Sequence, residues 1–230
     1  MAGMSKRRRI LVVDVGGTHV KFAVTGEEEP REFESGPSLT PARMTKELLA
    51  MTRDWRFDAV SIGYPGVVLH GEIVREPFNL GRGWVGFDFR AALGRPVRIV
   101  NDAAMQALGC YEGGKMLFLG LGTGLGSALI VDGKVAPMEL GHLHCGPRKT
   151  YEDLVGEHAR ERAGNRRWRK RVRNIVESLQ RALLPDYIVL GGGNARRLKD
   201  LPPNVRRGDN SYAFAGGVRL WDEKPARGTG

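Results

Sequence analysis

Hydrophobic and polar positions repeat one arrangement twice along the chain. Two apolar runs flank a glycine and threonine turn at 10–24, and the same arrangement returns at 116–131. The first turn reads Asp14-Val15-Gly16-Gly17-Thr18, and the second reads Gly120-Leu121-Gly122-Thr123-Gly124. Short apolar runs joined by glycine-containing turns are typical of β-hairpins. The pattern therefore predicts two hairpins, as an old internal duplication would leave.

The remaining segments alternate between helical and strand patterns. In the first half we predict a strand at 31–34, a helix at 41–53, a strand at 58–63, a loop-rich stretch at 64–84, a short helix at 87–93 and a strand at 97–100. A helix then begins at Asn101-Asp102. After the second hairpin we predict helices from Tyr151 and at 166–183, a strand at 187–190, a short helix at 195–198, a polar loop at 201–210, a helix at 213–221 and a disordered tail from Asp222. Such alternation predicts α/β layers.

The two glycine turns also suggest phosphate chemistry. Glycine permits positive φ, which lets successive amide groups point toward one anion, and threonine adds a hydroxyl donor. The phosphate-binding candidates are Gly16, Gly17, Thr18, Lys21, Gly122, Thr123 and Gly124. Asp14 ends the first strand and is a candidate for holding Mg²⁺ through a bound water. Two ordinary hairpins without a ligand are the alternative interpretation.

Composition places the chain among globular proteins. Its 230 residues are 41% hydrophobic, and no run approaches the roughly 18 apolar residues of a membrane span. Cys110 and Cys145 are the only cysteines, which is too few for a disulfide framework and typical of a reducing compartment. We therefore expect a cytoplasmic protein without a membrane partner.

Net charge indicates a polyanionic partner. Lysine and arginine number 36 against 26 aspartate and glutamate residues, which gives a formal charge of +10. Eight of the 14 residues at 160–173 are basic, and only Glu161 opposes them. A solvated helix face is the alternative to a binding surface there.

Six motifs in chain order resemble those of the ROK sugar kinases, which belong to the actin-like, ribonuclease H-like superfamily. They are the Asp14 turn, Tyr64-Pro65-Gly66, Asn101-Asp102, the Gly120 turn, Glu139-Leu140-Gly141-His142 and Leu190-Gly191-Gly192-Gly193. Within that family, the run 64–71 and Tyr151-Glu152-Asp153 are most similar to polyphosphate glucokinases.

The resemblance implies a two-domain α/β kinase fold with an active-site cleft between the domains. The smaller domain would comprise 1–100 together with a returning helix at 211–222, and the larger would comprise 101–210. Asp102 would be the catalytic base that takes the proton of a sugar hydroxyl. A simple helix-capping role for Asn101-Asp102 is the alternative. By the same resemblance, the sugar would be bound by Asn79, Asn101, Glu139, His142 and Glu152.

The expected reaction is phosphorylation of a hexose, foremost glucose to glucose 6-phosphate, with Mg²⁺. The donor is left open: Gly191, Gly192 and Gly193 are compatible with the adenosine of ATP, whereas Arg167 and Lys170 of the basic helix suit inorganic polyphosphate. An ATP-only hexose or amino-sugar kinase is the alternative. We also expect a homodimer, as in similar enzymes.

Two further expectations concern metals and DNA. Many ROK proteins carry a cysteine-rich zinc motif after the Gly-His pair, but here only His144 and Cys145 follow nearby, and we predict no zinc. ROK repressors carry a helix-turn-helix ahead of the kinase-like part. Because 13 residues precede Asp14, we expect no such domain and no DNA partner, although nonspecific nucleic-acid binding by the basic helix is a second alternative.

Overall fold

In a computed structural model, which describes residues 8–27, 29–209 and 211–222, the chain forms two mixed five-stranded sheets. The first sheet has the order β3-β2-β1-β4-β7. Its strands are β1 Ile10–Val15, β2 His19–Val24, β3 Arg31–Glu34, β4 Ala59–Tyr64 and β7 Val97–Asn101. Strands β1, β4 and β7 are parallel, β2 is antiparallel to β1, and β3 is antiparallel to β2.

The second sheet repeats this topology. Its order is β10-β9-β8-β11-β12, with β8 and β9 as the hairpin and β11 parallel to β8. The strands are β8 Lys115–Leu121, β9 Leu125–Val131, β10 Lys134–Met138, β11 Tyr187–Gly191 and β12 Val205–Arg207. A small two-stranded ribbon, β5 Val68–Leu69 with β6 Glu72–Ile73, lies outside both sheets. Both predicted hairpins and the predicted α/β class are confirmed.

Among the residues that the structure describes, six α-helices pack on or between the sheets. They are α1 Pro41–Met51, α2 Phe89–Leu93, α3 Asp102–Cys110, α4 Tyr151–Val155, α5 Glu157–Leu183 and α6 Tyr212–Arg219. Thr40 caps α1, because its side chain accepts a hydrogen bond from the amide of Arg43. Helix α5 is broken at Gly164, where φ is 73°. Beyond this break, Trp168, Val172, Ile175, Val176 and Leu179 cover the second sheet.

Several predicted elements need correction. The segment 201–210 is not only a loop, because β12 extends the parallel edge of the second sheet there. The short helix at 195–198 is a 3₁₀ turn at Ala195–Arg197. The helix predicted at 166–183 is confirmed as the part of α5 that follows its break at Gly164. The hairpin prediction missed β10, whose alternation is interrupted by Pro137. The tail beyond 222 lies outside the described residues.

Helix α6 joins α3 to the first sheet through glycine contacts. A Cβ atom at Gly216 would lie 1.7 Å from the carbonyl oxygen of Met105, and one at Gly109 would lie 1.9 Å from that of Tyr212. The two helix backbones therefore touch where no side chain intervenes. Ser61 of β4 donates a hydrogen bond of 2.6 Å to the Gly217 carbonyl, which fixes α6 to the sheet. The division into domains at residues 100 and 101 stays a prediction.

Within the described ranges, no helix combines the length and hydrophobicity needed to cross a bilayer.

We predict that Gly216→Ala destabilises the fold by at least about 2 kcal/mol, because the new methyl group would collide with rigid backbone. Alanine normally favours a helix over glycine, so the sign itself tests the contact. The free energy of unfolding in urea measures it. Gly193→Ala is the matched control, since a Cβ atom there meets nothing within 4 Å. Equal stability of the two variants would contradict the close contact.

Candidate active site

A cleft of about 720 Å³ lies where the carboxyl ends of strands from both sheets face each other. Open α/β sheets bind ligands at this edge. The cleft brings together twelve of the residues nominated from the sequence: Gly16, Gly17, Asn79, Asn101, Asp102, Gly122, Thr123, Gly124, Glu139, His142, Glu152 and Gly192.

Seven nominated residues lie outside the cleft lining: Asp14, Thr18, Lys21, Arg167, Lys170, Gly191 and Gly193. Asp14 lies close enough to the cleft for its charge to raise the pKa of Asp102. Lys21 is paired with Asp14 across β1 and β2, and its ammonium lies 3.7 Å from a Glu32 carboxylate oxygen. Arg167 and Lys170 are exposed on α5.

The two glycine turns present free backbone donors. Gly16 and Gly122 donate hydrogen bonds within their own turns, to His19 and Gly124. Across the part of the chain that the structure describes, the amides of four other turn residues donate no hydrogen bond to protein: Gly17, Thr18, Thr123 and Gly124. Unengaged amides in paired glycine turns form anion-binding concavities. The two turns can therefore hold a phosphate chain from two sides.

The second turn is held by a hydrogen-bond network. The amide of Glu157 donates to the carbonyl oxygens of Gly122 and Thr123, both at 3.1 Å. Its carboxylate accepts hydrogen bonds from Arg160 and from the buried Asn194, and these bonds lower the pKa of Glu157 to about 2. The backbone amide of Asn194 in turn donates to the carbonyl oxygen of Leu121 at 3.0 Å. The network fixes the turn to the start of α5 and to the loop after β11.

Asn101 and Asp102 lie where β7 passes directly into α3. Asn101 caps the helix, since its Oδ1 accepts hydrogen bonds from the amides of Ala103 at 2.9 Å and Ala104 at 3.2 Å. Its Nδ2 donates to the Gly66 carbonyl at 3.0 Å, which leaves one N–H for a ligand. Asn101 therefore fills most of the capping role. The Asp102 carboxylate accepts one hydrogen bond through Oδ1, from the Ala103 amide at 2.7 Å, and its other oxygen remains available to the cleft.

Burial raises the pKa of Asp102 to about 7, and repulsion by Asp14 adds to the shift. The pKa of Asp14 is itself raised to about 6 by burial, against the opposing charge of Lys21. A carboxyl group with a pKa near neutrality can accept a proton during a reaction and release it afterwards. Two desolvated carboxyl groups with such values are typical of a functional site.

A second polar cluster faces Asp102 from the other sheet. His142 lies in a 3₁₀ turn at Leu140–His142, directly after Glu139. Burial raises the pKa of Glu139, while His142 lowers it and Glu152 raises it. Glu152 accepts a hydrogen bond from the Leu125 amide at 3.1 Å. A Cβ atom at Gly124 would lie 2.0 Å from a Glu152 oxygen, so the glycine leaves room for this carboxylate.

The loop that carries Asn79 is closed by Glu76. The Glu76 carboxylate accepts hydrogen bonds from the amides of Gly83, Trp84 and Val85, at 3.1 to 3.3 Å. Asn79 lies against the first glycine turn, 3.6 Å from where a Cβ atom of Gly17 would stand. These contacts hold an amide side chain beside the phosphate turn.

The sequence interpretation missed several residues that line the cleft: Arg75, Phe78, Gln106, His158 and Arg162. Gln106 follows Asp102 by one helical turn, and this spacing could have placed it on the same face. Arg162 belongs to the basic run at 160–173, whose charge alone does not show that it reaches the cleft. Arg75 lowers the pKa of Glu139 across the cleft, a contact that only tertiary structure reveals.

A divalent cation fits the residues beside the first turn. Asp14 and Asp102 are buried carboxyl groups here, the charge of Asp14 raises the pKa of Asp102, and Mg²⁺ commonly uses one or two carboxylates together with substrate phosphates. In the described segments, no cluster of three or more histidine, cysteine or acidic side chains forms a complete metal cage. The expected absence of zinc at 142–145 stays a prediction.

Comparisons with known proteins agree with this geometry. The profile of the ROK family matches residues 10–165. The polyphosphate glucokinase of Mycobacterium tuberculosis is 30% identical, over 85% of this chain and 81% of that protein. An N-acetylmannosamine kinase of Salmonella arizonae is also 30% identical, over 54% of this chain and 48% of its own length. The crystal structure of an inorganic polyphosphate/ATP-glucomannokinase from Arthrobacter sp. strain KM superposes with a TM-score of 0.79 at 25% identity, covering 93% of this chain and 98% of that one.

The fold and the cleft define a sugar kinase with the actin-like, ribonuclease H-like architecture. The chain belongs to the ROK family.

We predict that Asp102→Asn stabilises the folded protein at about pH 8. Because the pKa of Asp102 is raised from 3.8 to about 7, the folded state binds this proton more tightly than the unfolded state. The stability that this bound proton contributes is therefore lost as pH rises from 3.8 to about 7. The variant should gain on the order of 1 to 3 kcal/mol at about pH 8, and less at about pH 4.5.

Urea unfolding without divalent cations measures the effect at both pH values. Asp200→Asn, at an exposed position, is the matched control and should show no pH-dependent gain. A loss of stability at both pH values for Asp102→Asn would contradict this prediction. It would show that the interactions of the ionised carboxylate outweigh the cost of burying its charge.

Proposed function

We propose that this ROK sugar kinase is a glucokinase that transfers a phosphoryl group to the 6-hydroxyl of glucose from inorganic polyphosphate, ATP or both. One observation carries the proposal: a buried carboxyl group, Asp102, faces a cleft flanked by two glycine turns with free amides. Phosphoryl transfer needs little more than positioning, charge neutralisation and a proton acceptor. The relatives named for polyphosphate and glucose support the choice of substrates.

Asp102 acts as the general base in this mechanism. As the sugar oxygen attacks the terminal phosphorus, its proton passes to the Asp102 carboxylate and the new O–P bond forms. The bond from phosphorus to the bridging oxygen breaks, and the shortened donor leaves with the electron pair. A base with a pKa of about 7 matches this task at neutral pH.

The two turns hold the donor. The amides of Gly17 and Thr18 approach it from the first sheet, and those of Thr123 and Gly124 approach it from the second. Amide donors stabilise the charge that spreads over the transferred group without reorganising during the reaction. When bound, Mg²⁺ would shield the negative charge of the phosphates, and Asp14 is the residue that would hold it.

The opposite part of the cleft binds the sugar. Glu139, Glu152 and His142 offer acceptors and a donor on one wall, and Asn79 and Asn101 offer amides on the other. Each sugar hydroxyl both donates and accepts, so a mixed ring of amides, carboxylates and imidazole satisfies several at once. Unpaired hydroxyls of a poorly fitting sugar would reduce affinity.

An ATP-dependent amino-sugar kinase is the second candidate, since the Salmonella relative is named for N-acetylmannosamine. Only Gly192 of the Gly191–Gly193 turn lines the cleft, at the end where an adenosine would extend. Coupled assays with glucose and N-acetylmannosamine, each with ATP and with polyphosphate, distinguish the candidates. Faster turnover of the amino sugar with ATP alone would overturn the first proposal. The homodimer stays a prediction. A non-catalytic sugar-sensing or nucleic-acid-binding ROK protein is the less favoured alternative.

We predict that Asp102→Asn lowers kcat by about 100-fold or more and changes the affinity for glucose only a few-fold. The amide keeps the shape of the side chain but cannot take the proton. In the unmodified protein, kcat/KM should fall as pH drops below about 7, because protonation removes the base. Steady-state kinetics and equilibrium glucose binding measure both quantities. Near-normal turnover of the variant would exclude Asp102 as the base.

Polyphosphate can extend out of the cleft along α5. His158 and Arg162 of its first turns line the cleft, and Arg166, Lys170 and Arg173 follow on the exposed face beyond Gly164. A polyphosphate chain carries about one negative charge per residue and extends farther than a nucleotide, so it alone reaches this face.

We predict that Arg167→Glu with Lys170→Glu raises KM for long polyphosphate at least several-fold and leaves KM for ATP and glucose nearly unchanged. The effect should shrink with added salt, because screening weakens both attraction and repulsion. Lys46→Glu with Lys134→Glu makes the same change in net charge at exposed sites away from α5 and is the control. Equal changes in KM for polyphosphate and for ATP would show that this side of α5 is only a solvated helix face.

A further inference from the structure

A second concavity, of about 880 Å³, lies at the opposite edge of the first sheet. Its lining comes from the segments that precede three adjacent parallel strands: Arg8 and Arg9 before β1, 56–58 before β4, and Arg95 before β7. The cleft lies at the carboxyl ends of the same strands. At about 3.3 Å per residue, five or six residues separate the two sites by roughly 15 to 20 Å.

Arginine dominates this concavity. Arg8, Arg9, Arg56 and Arg95 contribute four guanidinium groups, and Asp58 is the single acidic residue in the lining. Arg9 pairs with Glu27 at 2.6 Å, so four positive and two negative charges leave a net charge of +2. Asp58 is partly engaged, because it accepts a hydrogen bond from the Arg9 amide at 2.8 Å.

Three of the four guanidinium groups are not neutralised. Among the residues with described coordinates, Arg8, Arg56 and Arg95 form no ion pair. Arg95 is oriented by hydrogen bonds to two backbone carbonyl oxygens, those of Phe57 at 3.1 Å and Gly94 at 2.8 Å, which leave its charge uncompensated. Arg8 lies over the ring of Trp221, 5.2 Å from the centroid. A planar guanidinium fork suits phosphate oxygens better than an ammonium group does.

Neither aromatic residue in the lining offers an open ring to a nucleic-acid base. Phe57 is half-buried and packs against the core of the first sheet. Trp55 is 8% exposed, and the guanidinium of Arg31 lies 4.0 Å above its ring, so its face is not free to stack on a base. Base stacking on open aromatic rings is what sequence-tolerant nucleic-acid surfaces use. Charge without a stacking platform favours a compact phosphoanion.

We propose that this arginine concavity binds an anion with two or more linked phosphoryl groups, at a site separate from the cleft. Because the four arginines are carried by three neighbouring segments that line one concavity, linked phosphoryl groups can be contacted by more than one of them. A single phosphate can satisfy fewer of these groups and binds more weakly. The site does not depend on the proposed reaction, since none of its residues lines the cleft.

The test titrates isotope-labelled protein with inorganic tripolyphosphate and follows backbone amide resonances by NMR, without sugar or divalent cation. Residues 56–58 and 94–95 report on the concavity, and residues 122–124 report on the cleft. We expect saturable shifts in the first set, with inorganic phosphate binding at least about tenfold more weakly. In Arg8→Ala with Arg56→Ala, the affinity reported by the first set should fall at least about tenfold, while that of the second set stays unchanged.

Lys46→Ala with Lys134→Ala removes the same charge elsewhere and should leave both sets unaffected. No saturable shift at 56–58 and 94–95, or an equal loss in both double variants, would overturn the proposal. Stronger binding by a single-stranded oligonucleotide of matched charge would overturn it in favour of a nucleic-acid surface. Failure of the cleft resonances to respond would count against the proposed donor site alone, so the two proposals are tested separately.

Discussion

The backbone contact between α3 and α6 is the constraint on which the site depends. Gly109 and Gly216 let the two helices touch, and Gly217 lets α6 lie against Val12 of β1. On its other side, α3 meets the second sheet, where a Cβ atom at Gly126 would lie 3.0 Å from that of Ala103. The helix that begins with Asp102 is thus wedged between the sheets. The position of the carboxyl group follows from backbone packing, which is stiffer than any side-chain contact.

The packing of α3 between the two sheets also makes the site costly to fold. Asp14 and Asp102 are desolvated together, and their raised pKa values show that the folded protein disfavours two charges there. A core of apolar strands and helices on each sheet offsets the cost. Functional sites commonly break the local rules of stability in this way.

Local patterns predicted much of the fold, and the exceptions have physical causes. The hairpins, the Thr40 cap and the strand at β11 follow from short-range chemistry. Strand β12 was missed because its Val205–Arg207 run is stabilised by pairing with β11, a partner that no local pattern reveals. In the cleft, Asp102 and Asn101 could be nominated from motifs. Arg75 and Arg162 could be placed in the cleft only by tertiary structure, because their segments are distant in sequence from Asp102. The loop closure by Glu76 spans only seven to nine residues, but no sequence pattern marks it.

The distribution of charge explains how a strongly basic protein can have an acidic reaction centre. The cleft contains Asp102, Glu139 and Glu152, and the excess cations lie on α5 and in the arginine concavity. In the proposed mechanism, amides and a bound cation hold the phosphates, because acidic side chains in the cleft lining outnumber Arg75 and Arg162 there. Cations outside the centre can act only on a donor long enough to reach them. A short donor thus depends on the turns, whereas a long donor gains from the basic surface as well. The net charge of +10 therefore bears on the choice of donor more than on the chemistry of transfer.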